Sequence, residues 1–226
     1  MLGVIVNVAT VILGSLIGVL LKKGIPERIA KSLTVAVALA AAYIGIDGML
    51  SGENTLILII SMVLGAFIGT LLDLDRRIKN LGQKIENNFK GENKDMQIAE
   101  GFVSATLLFC VGSMTVVGAL QSGLSGNHEM QFTKAILDLI SSVVLASTLG
   151  WGVMLAAGSV FFIQGAIVLL AKFIEPFLND YAINEMTCVG SVLILALAFN
   201  LLGITKIKLM NFLPAIFIPI ILCLFM

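Results

Sequence analysis

The chain has 226 residues, 58% hydrophobic and 12% charged, with zero formal net charge and a mean hydropathy of +1.05. A soluble domain is about a quarter charged and about half apolar, so this composition excludes a water-soluble globule and makes lipid the solvent for most of the surface. It also argues against nucleic acid as a partner, because the basic residues form loop clusters suited to anionic lipid headgroups.

A spanning helix needs about 20 mainly apolar residues. Eight segments fit: residues 1–21, 32–50, 55–72, 101–121, 134–149, 151–173, 185–204 and 210–226. The apolar runs are continuous and do not alternate as a membrane β-barrel would require. The expected fold is therefore all-α, a polytopic bundle of about eight spans. The first segment lacks a basic region ahead of its apolar stretch and is expected to remain as a helix.

Breaks between the blocks sort the charges. Lys22, Lys23, Arg28 and Lys31 follow the first span, and Arg76, Arg77, Lys79, Lys84, Lys90 and Lys94 follow the third. Lys206 and Lys208 precede the last, and only Lys134 and Lys172 fall on the opposite side. Cytoplasmic loops collect Lys and Arg. The expectation is a plasma-membrane protein with basic loops in the cytoplasm and both termini outside.

In chain order, the first span carries Asn7 and a GxxxG pair, Gly14 and Gly18, and the third carries another, Gly65 and Gly69. Such pairs let helices approach closely, as does the alanine-rich second span. These small-residue faces also suit a homodimer. Asp47, near the end of the second span, reads as a turn residue. Asp73 and Asp75 read as interfacial.

Residues 73–100 form a linker. Leu74, Ile78, Leu81, Ile85 and Phe89 recur at helical spacing among basic residues, which predicts an amphipathic helix on the cytoplasmic membrane surface. The fourth span bears a polar thread, Ser104, Thr106, Cys110, Ser113 and Thr115, with Gly112 loosening the helix at its middle. Freed carbonyls and hydroxyls there can coordinate a small cation or polar solute.

In the fifth span Asp138 is expected about one turn in, roughly 6 Å deep, with Lys134 at i−4 close enough to pair. An ion pair that fixes the helix end and a solute or ion ligand are both open readings. Gly150 and Gly152 mark a turn before the sixth span, which carries Gln164. In the last span Pro214 and Pro219 each remove a backbone donor and should kink it.

Enzyme signatures are weak. Gly123-Leu124-Ser125-Gly126 matches the GxSG of rhomboid-type intramembrane proteases, but His128 falls in the same polar loop, and the chemistry needs the base on another helix. No enzyme activity and no cofactor are expected. Cys110, Cys188 and Cys223 lie in apolar blocks without metal-ligand spacing and read as small apolar groups.

Shifting the chain by 150 residues aligns Leu20, Lys22 and Pro26 with Leu170, Lys172 and Pro176. Nearby shifts align Thr34 with Thr187, Asp47 with Asn200, and Leu64-Gly65-Ala66 with Leu213-Pro214-Ala215. One transmembrane domain is then divided as a first repeat (1–72), the linker (73–100), a central pair (101–150) and a second, inverted repeat (151–226). Inverted repeats are a common carrier design. The leading expectation is a secondary transporter or ion-coupled carrier, with Asn7, Gly112, Ser113, Thr115, Asp138 and Gln164 binding a small solute or monovalent ion. A channel would need a continuous polar path, and a non-transporting scaffold a dry core.

Finally, several runs carry a family resemblance: Gly3-Val4-Ile5-Val6-Asn7, Leu21-Lys22-Lys23-Gly24-Ile25-Pro26-Glu27-Arg28, the stretch from Glu100-Gly101-Phe102 to Val111-Gly112-Ser113-Met114, Gly123-Leu124-Ser125-Gly126-Asn127-His128, Ala146-Ser147-Thr148-Leu149-Gly150, Asn200-Leu201-Leu202-Gly203-Ile204 and Asn211-Phe212-Leu213-Pro214-Ala215. In these the chain resembles a bacterial inner-membrane family, domain of unknown function 554 of the YdfK/YqgA type. The resemblance implies an integral protein of the bacterial plasma membrane and assigns no substrate or catalytic residue.

Overall fold

The computed structural model describes residues 1–22, 26–77, 80, 95–175 and 178–225. Its described residues are helical, with no strand. The elements are α1 (Leu2–Lys22), α2 (Glu27–Met49), α3 (Thr55–Leu71), α4 (Asp95–Cys110), α5 (Ser113–Leu124), α6 (Glu129–Leu149), α7 (Gly152–Ile174) and α8 (Asp180–Leu201). A 3-10 helix (Leu209–Phe217) and the short α9 (Ile218–Leu222) follow.

Among the described residues, five helices are long and apolar enough to cross a membrane: α1, α2 from Lys31, α6, α7 and α8. The pair Ile98–Cys110 and Met114–Leu124, bent by 60°, makes up to six. α3 and the stretch Leu209–Leu222 are apolar but shorter.

Local chemistry sets the boundaries. Asn54 caps α3 by accepting the Leu56 N–H, and Asn179 caps α8 through the Ala182 N–H, each filling an orphan donor of a first turn. The cut between the fifth and sixth predicted spans falls at Gly150, which has φ +76°, a conformation costly for side chains with a Cβ. The final apolar block is 3-10 over Pro214 and turns α-helical only beside Pro219, the interruption expected of its prolines.

Two expectations need correction. The fourth predicted span is two helices rather than one loosened helix, parted at Val111 and Gly112. The fifth starts at Glu129 rather than residue 134, because the polar residues Glu129 to Lys134 continue the helix despite their low hydropathy. The predicted amphipathic face through Ile78, Leu81, Ile85 and Phe89 lies outside the described residues; around it, residues 74–77 and 80 are described as helical.

Helix directions follow from the contacts. α1 runs parallel to α6, its most extensive partner, with Gly14 against Leu139 and Ser142, and Gly18 against Val143 and Ala146. The broken pair runs parallel to α7, Ile98 meeting Gly152, Thr106 meeting Ser159, and Gly123 meeting Val168 and Ala171. α2 lies antiparallel to α8, with Gly45 on Leu195 and Gly48 on Ser191. α3 lies antiparallel to the 3-10 helix, where Gly65 meets Ala215 and Gly69 meets Asn211. Both GxxxG pairs thus form close helix contacts within the chain, as their lack of side chains allows.

Candidate functional site

Ionisable side chains inside a bilayer are costly and normally face a partner or a cavity. α6 carries Gln131, Lys134 and Asp138 at spacings of three and four, one face of the helix, and all three are buried. The Lys134 ammonium donates to both Asp138 oxygens, at 2.8 and 2.9 Å. From α1, the Asn7 amide donates to Asp138 Oδ2 at 3.0 Å and to Gln164 Oε1 of α7 at 3.3 Å. Three helices therefore join through one carboxylate and two amides.

Because α6 starts before Lys134, the pair sits further along its helix than one turn. Asp138 is the tenth of the 21 residues of α6, and Gln164 the thirteenth of the 23 of α7. Both lie close to the middle of their helices. Asn7 Oδ1 and both amide atoms of Gln131 have no hydrogen-bond partner among the described residues.

A cavity of about 400 Å³ is lined by the pair. Its walls are α2 (Ala36, Val37, Ala40, Ala41, Ile44) and α6 (Leu137, Ile140, Val144). Lys134, Asp138, Ser141 and Thr115 are its polar lining, and Leu108, Phe109, Val111 and Met114 border it on the broken span. A second cavity, of about 70 Å³, lies against Cys110, Val111 and Gly112 on the side of α7 and α8.

The break separates these two spaces. Gly112 has φ +117° and ψ 152°, a region close to exclusive to glycine. The end of one helix leaves carbonyls without helical partners, and the start of the next leaves N–H groups. Some are met locally: Thr115 donates through its hydroxyl to Phe109 O at 3.2 Å and through its N–H to Gly112 O at 3.1 Å.

The structure thus brings Asn7, Asp138 and Gln164 into direct contact, lines the larger cavity with Thr115, and sets Gly112 at the break beside the smaller one. The Ser113 side chain lies outside the described residues. Elsewhere in the polar thread, Thr106 donates across to Ser159 Oγ of α7 at 3.2 Å, and the buried Ser104 Oγ has no hydrogen-bond partner among the described residues. Hydroxyls of α6 turn inward on their own helix: Ser142 bonds Leu139 O, Ser147 bonds Val144 O and Thr148 bonds Leu145 O. That is the usual role of Ser and Thr in spanning helices.

Gln131 and Glu185 are among the buried polar residues that escaped the sequence reading. Gln131 fell in a stretch read as loop, although its spacing to Lys134 and Asp138 marks the same helical face. Glu185 marked only the edge of a span. It is fully buried, and its Oε1 accepts the N–H groups of Glu53 and Asn54 at 2.7 and 2.8 Å, tying α8 to the start of α3. The protease-like motif takes another form here. His128 Nδ1 lies 2.7 Å from Ser122 Oγ, while Ser125 donates to Gln121 O. Among the described residues no group of three or more His, Cys, Asp or Glu side chains could hold a metal ion.

Comparison with known proteins adds a family and little chemistry. A family model described as "Protein of unknown function (DUF554)" matches residues 2–224. The "Uncharacterized membrane protein YdfK" of Bacillus subtilis is 37% identical over 223 residues, covering 97% of this chain and 94% of that protein. The "Uncharacterized protein YqgA" of Escherichia coli is 28% identical over 218 residues, covering 95% and 93%. No solved structure matches.

Proposed function

The chain belongs to the DUF554 family, and from that premise we propose that it is a secondary carrier of a small solute across the bacterial plasma membrane. One observation carries the reading: a 400 Å³ cavity ends on a buried, mid-helix Lys134–Asp138 pair beside a broken span. Ligand pockets are concave, mostly apolar and fitted with a few convergent polar groups, and carriers build midplane sites at discontinuous helices. Asp138, Lys134 and Thr115 are the groups that meet the solute. Asn7 and Gln164 orient Asp138, and Val111 and Gly112 supply the backbone break, with Ser113 opening the helix after it.

Helix pairing supports an inverted repeat of eight spans. Exchanging α1 with α7, α2 with α8, α3 with the 3-10 helix, and the broken pair with α6 turns each packed pair into another. The parallel pair α1 and α6 becomes α7 and the broken pair, also parallel, and the antiparallel pairs map onto themselves. Two similar halves of this kind can exchange inward- and outward-open arrangements.

Basic loops in the cytoplasm and termini outside remain the orientation of this reading. In its favour, Lys22 Nζ reaches Thr148 O at 2.9 Å, and the Asp75 N–H reaches Asn211 Oδ1 at 2.9 Å. These contacts join helix ends that the topology assigns to the cytoplasmic side.

The test is access to the cavity. Ser141→Cys, in a background with Cys110, Cys188 and Cys223 replaced by alanine, is treated with a membrane-impermeant maleimide from one side at a time. A carrier is labelled from one side at rest and from the other when a solute or ion gradient is reversed. Labelling from both sides at once indicates a channel. No labelling from either side indicates a dry scaffold and removes the carrier reading.

A further inference from the structure

We propose that the cavity binds a small monocarboxylate with an apolar body together with one proton, the proton going to Asp138 and the carboxylate to Lys134. This inference rests on the carrier reading and names its substrate class and coupling ion.

The argument is electroneutrality. A net charge held at mid-helix in a low-dielectric interior is strongly disfavoured, whereas a hydrogen-bonded pair is tolerated. The empty site holds one such pair, the Lys134 ammonium on both oxygens of Asp138. A carboxylate entering alone would leave the site with an extra negative charge, and a proton alone with an extra positive one. When both enter, the site stays neutral. The arriving proton bonds to an Asp138 oxygen, the Lys134–Asp138 pair is broken, and the ammonium pairs with the solute carboxylate. No covalent bond of the solute changes. Each singly loaded state carries a buried charge, so the two ligands are coupled by the pair itself.

The surroundings allow this exchange. Lys134 and Asp138 both line the cavity, so a solute head can reach either. Asn7 already donates to Asp138 Oδ2 and can hold the neutral carboxyl in place through the same oxygen. Few competing groups titrate. α1 presents Asn7 and α7 presents Gln164, both uncharged amides. α5 presents Thr115, and α2 presents Ala36, Val37, Ala40, Ala41 and Ile44. On α4 the Cys110 thiol is the remaining titratable group within electrostatic reach of the pair. Among the described lining residues Asp138 is the one carboxylate and Lys134 the one cation. The apolar walls select the solute body, since burying hydrocarbon there is favourable by about 25 cal/mol per Å².

The test uses the full chain in lipid nanodiscs and three probes of one shape: 3-phenylpropanoate, 3-phenylpropanamide and 3-phenylpropylamine. Calorimetric titration in two buffers of different ionisation enthalpy counts the protons bound with each. The carboxylate is expected to bind with uptake of about one proton, so that its Kd rises about tenfold per pH unit between pH 6 and pH 8. The amide and amine are expected to bind at least about tenfold more weakly, lacking the charge that replaces Asp138.

Asp138→Asn should still bind the carboxylate, now without proton uptake and with a flat pH profile. Lys134→Met should lose it. If Lys134→Met does not fold, the double variant Lys134→Met/Asp138→Asn, which leaves no charge stranded, takes its place with the same expectation. Carboxylate binding without proton uptake, or preference for the amine or amide, overturns the proposal and leaves the carrier reading intact. No binding by any probe while Ser141→Cys is labelled also overturns the substrate class alone. No binding with Ser141→Cys sealed from both sides removes both.

Discussion

Gly112→Ala isolates the helix break from everything packed around it. A methyl group at Gly112 would meet nothing within 4 Å, so sterics with neighbours contribute no penalty. What remains is the backbone, since φ +117° and ψ 152° lie where residues with a Cβ are strained, at a cost of about 1–3 kcal/mol. Gly158, in the interior of α7, is the matched control. A methyl there also meets nothing within 4 Å, and its φ is outside the positive range. Alanine at that helical position should stabilise by about 0.5–1 kcal/mol. The two variants share one chemical change and have opposite expected signs. For a chain of this size about 1 kcal/mol corresponds to roughly 2–4 °C, so Gly112→Ala should lower the thermal midpoint in detergent by about 2–12 °C and Gly158→Ala should raise it slightly. Tryptophan or dye fluorescence on the purified variants reads both. A Gly112→Ala variant at least as stable as Gly158→Ala would mean that the span is continuous at this point, and the site built on the break would fall with it.

Three further perturbations address the packing and the buried charges. Gly14→Ala drives a methyl group to 2.5 Å from the Leu139 carbonyl and into Ser142; overpacking of this kind should cost about 1–3 kcal/mol, read as a lower thermal midpoint. Glu185→Ala strands the N–H groups of Glu53 and Asn54 at about 1–3 kcal/mol for each unsatisfied group, whereas Glu185→Gln keeps an acceptor for both and should lose less than half as much. A Glu185→Gln variant as damaged as Glu185→Ala would show that the negative charge, and not the acceptor, is what α8 supplies. Lys134→Met leaves the Asp138 carboxylate buried without its ammonium and should destabilise by about 3–5 kcal/mol, while Lys134→Met/Asp138→Asn should recover most of that loss. Additive losses in this cycle would mean that the two charges do not interact in the membrane-embedded protein.

Much of the helical framework was legible because hydropathy reports burial in lipid. The apolar blocks, the glycine turn at Gly150 and the proline interruption of the last block all follow from elementary rules of length and backbone geometry. Asn7, Asp138 and Gln164 stood out for the same reason: an amide or carboxylate within a long apolar run has few affordable environments. Their meeting in space was not legible. It depends on α1 lying parallel to α6, which is set by Gly14 and Gly18 and by the turns between distant segments. Gln131 and the true start of α6 were missed because Glu129-Met130-Gln131 lowers the local hydropathy while the helix continues; the spacing of Gln131, Lys134 and Asp138 carries the signal that hydropathy loses. Glu185 was missed because its carboxylate answers to the backbone of a loop more than 130 residues away, a demand that no local pattern records.

The two buried acids among the described residues, Asp138 and Glu185, are held in different ways. Both are costly to bury, and each is hydrogen-bonded, but by different things. Glu185 binds, through Oε1, two backbone N–H groups that would otherwise go unmet at the start of α3, so the fold itself uses this carboxylate, although its Oε2 has no hydrogen-bond partner among the described residues. Asp138 binds side chains only, from α1 and α6, and those side chains have no backbone group that requires it. Replacing such a pair by apolar residues of similar volume is often neutral or stabilising, so packing alone gives no reason for Lys134 and Asp138 to be where they are. Moreover Lys134 and Asp138 line a cavity, and Glu185 lines neither of the two described. On the proposed reading, a charge pair at mid-helix with open space beside it meets what a coupled binding site requires: partners close enough to neutralise each other and accessible enough to be exchanged when a proton and an anion arrive.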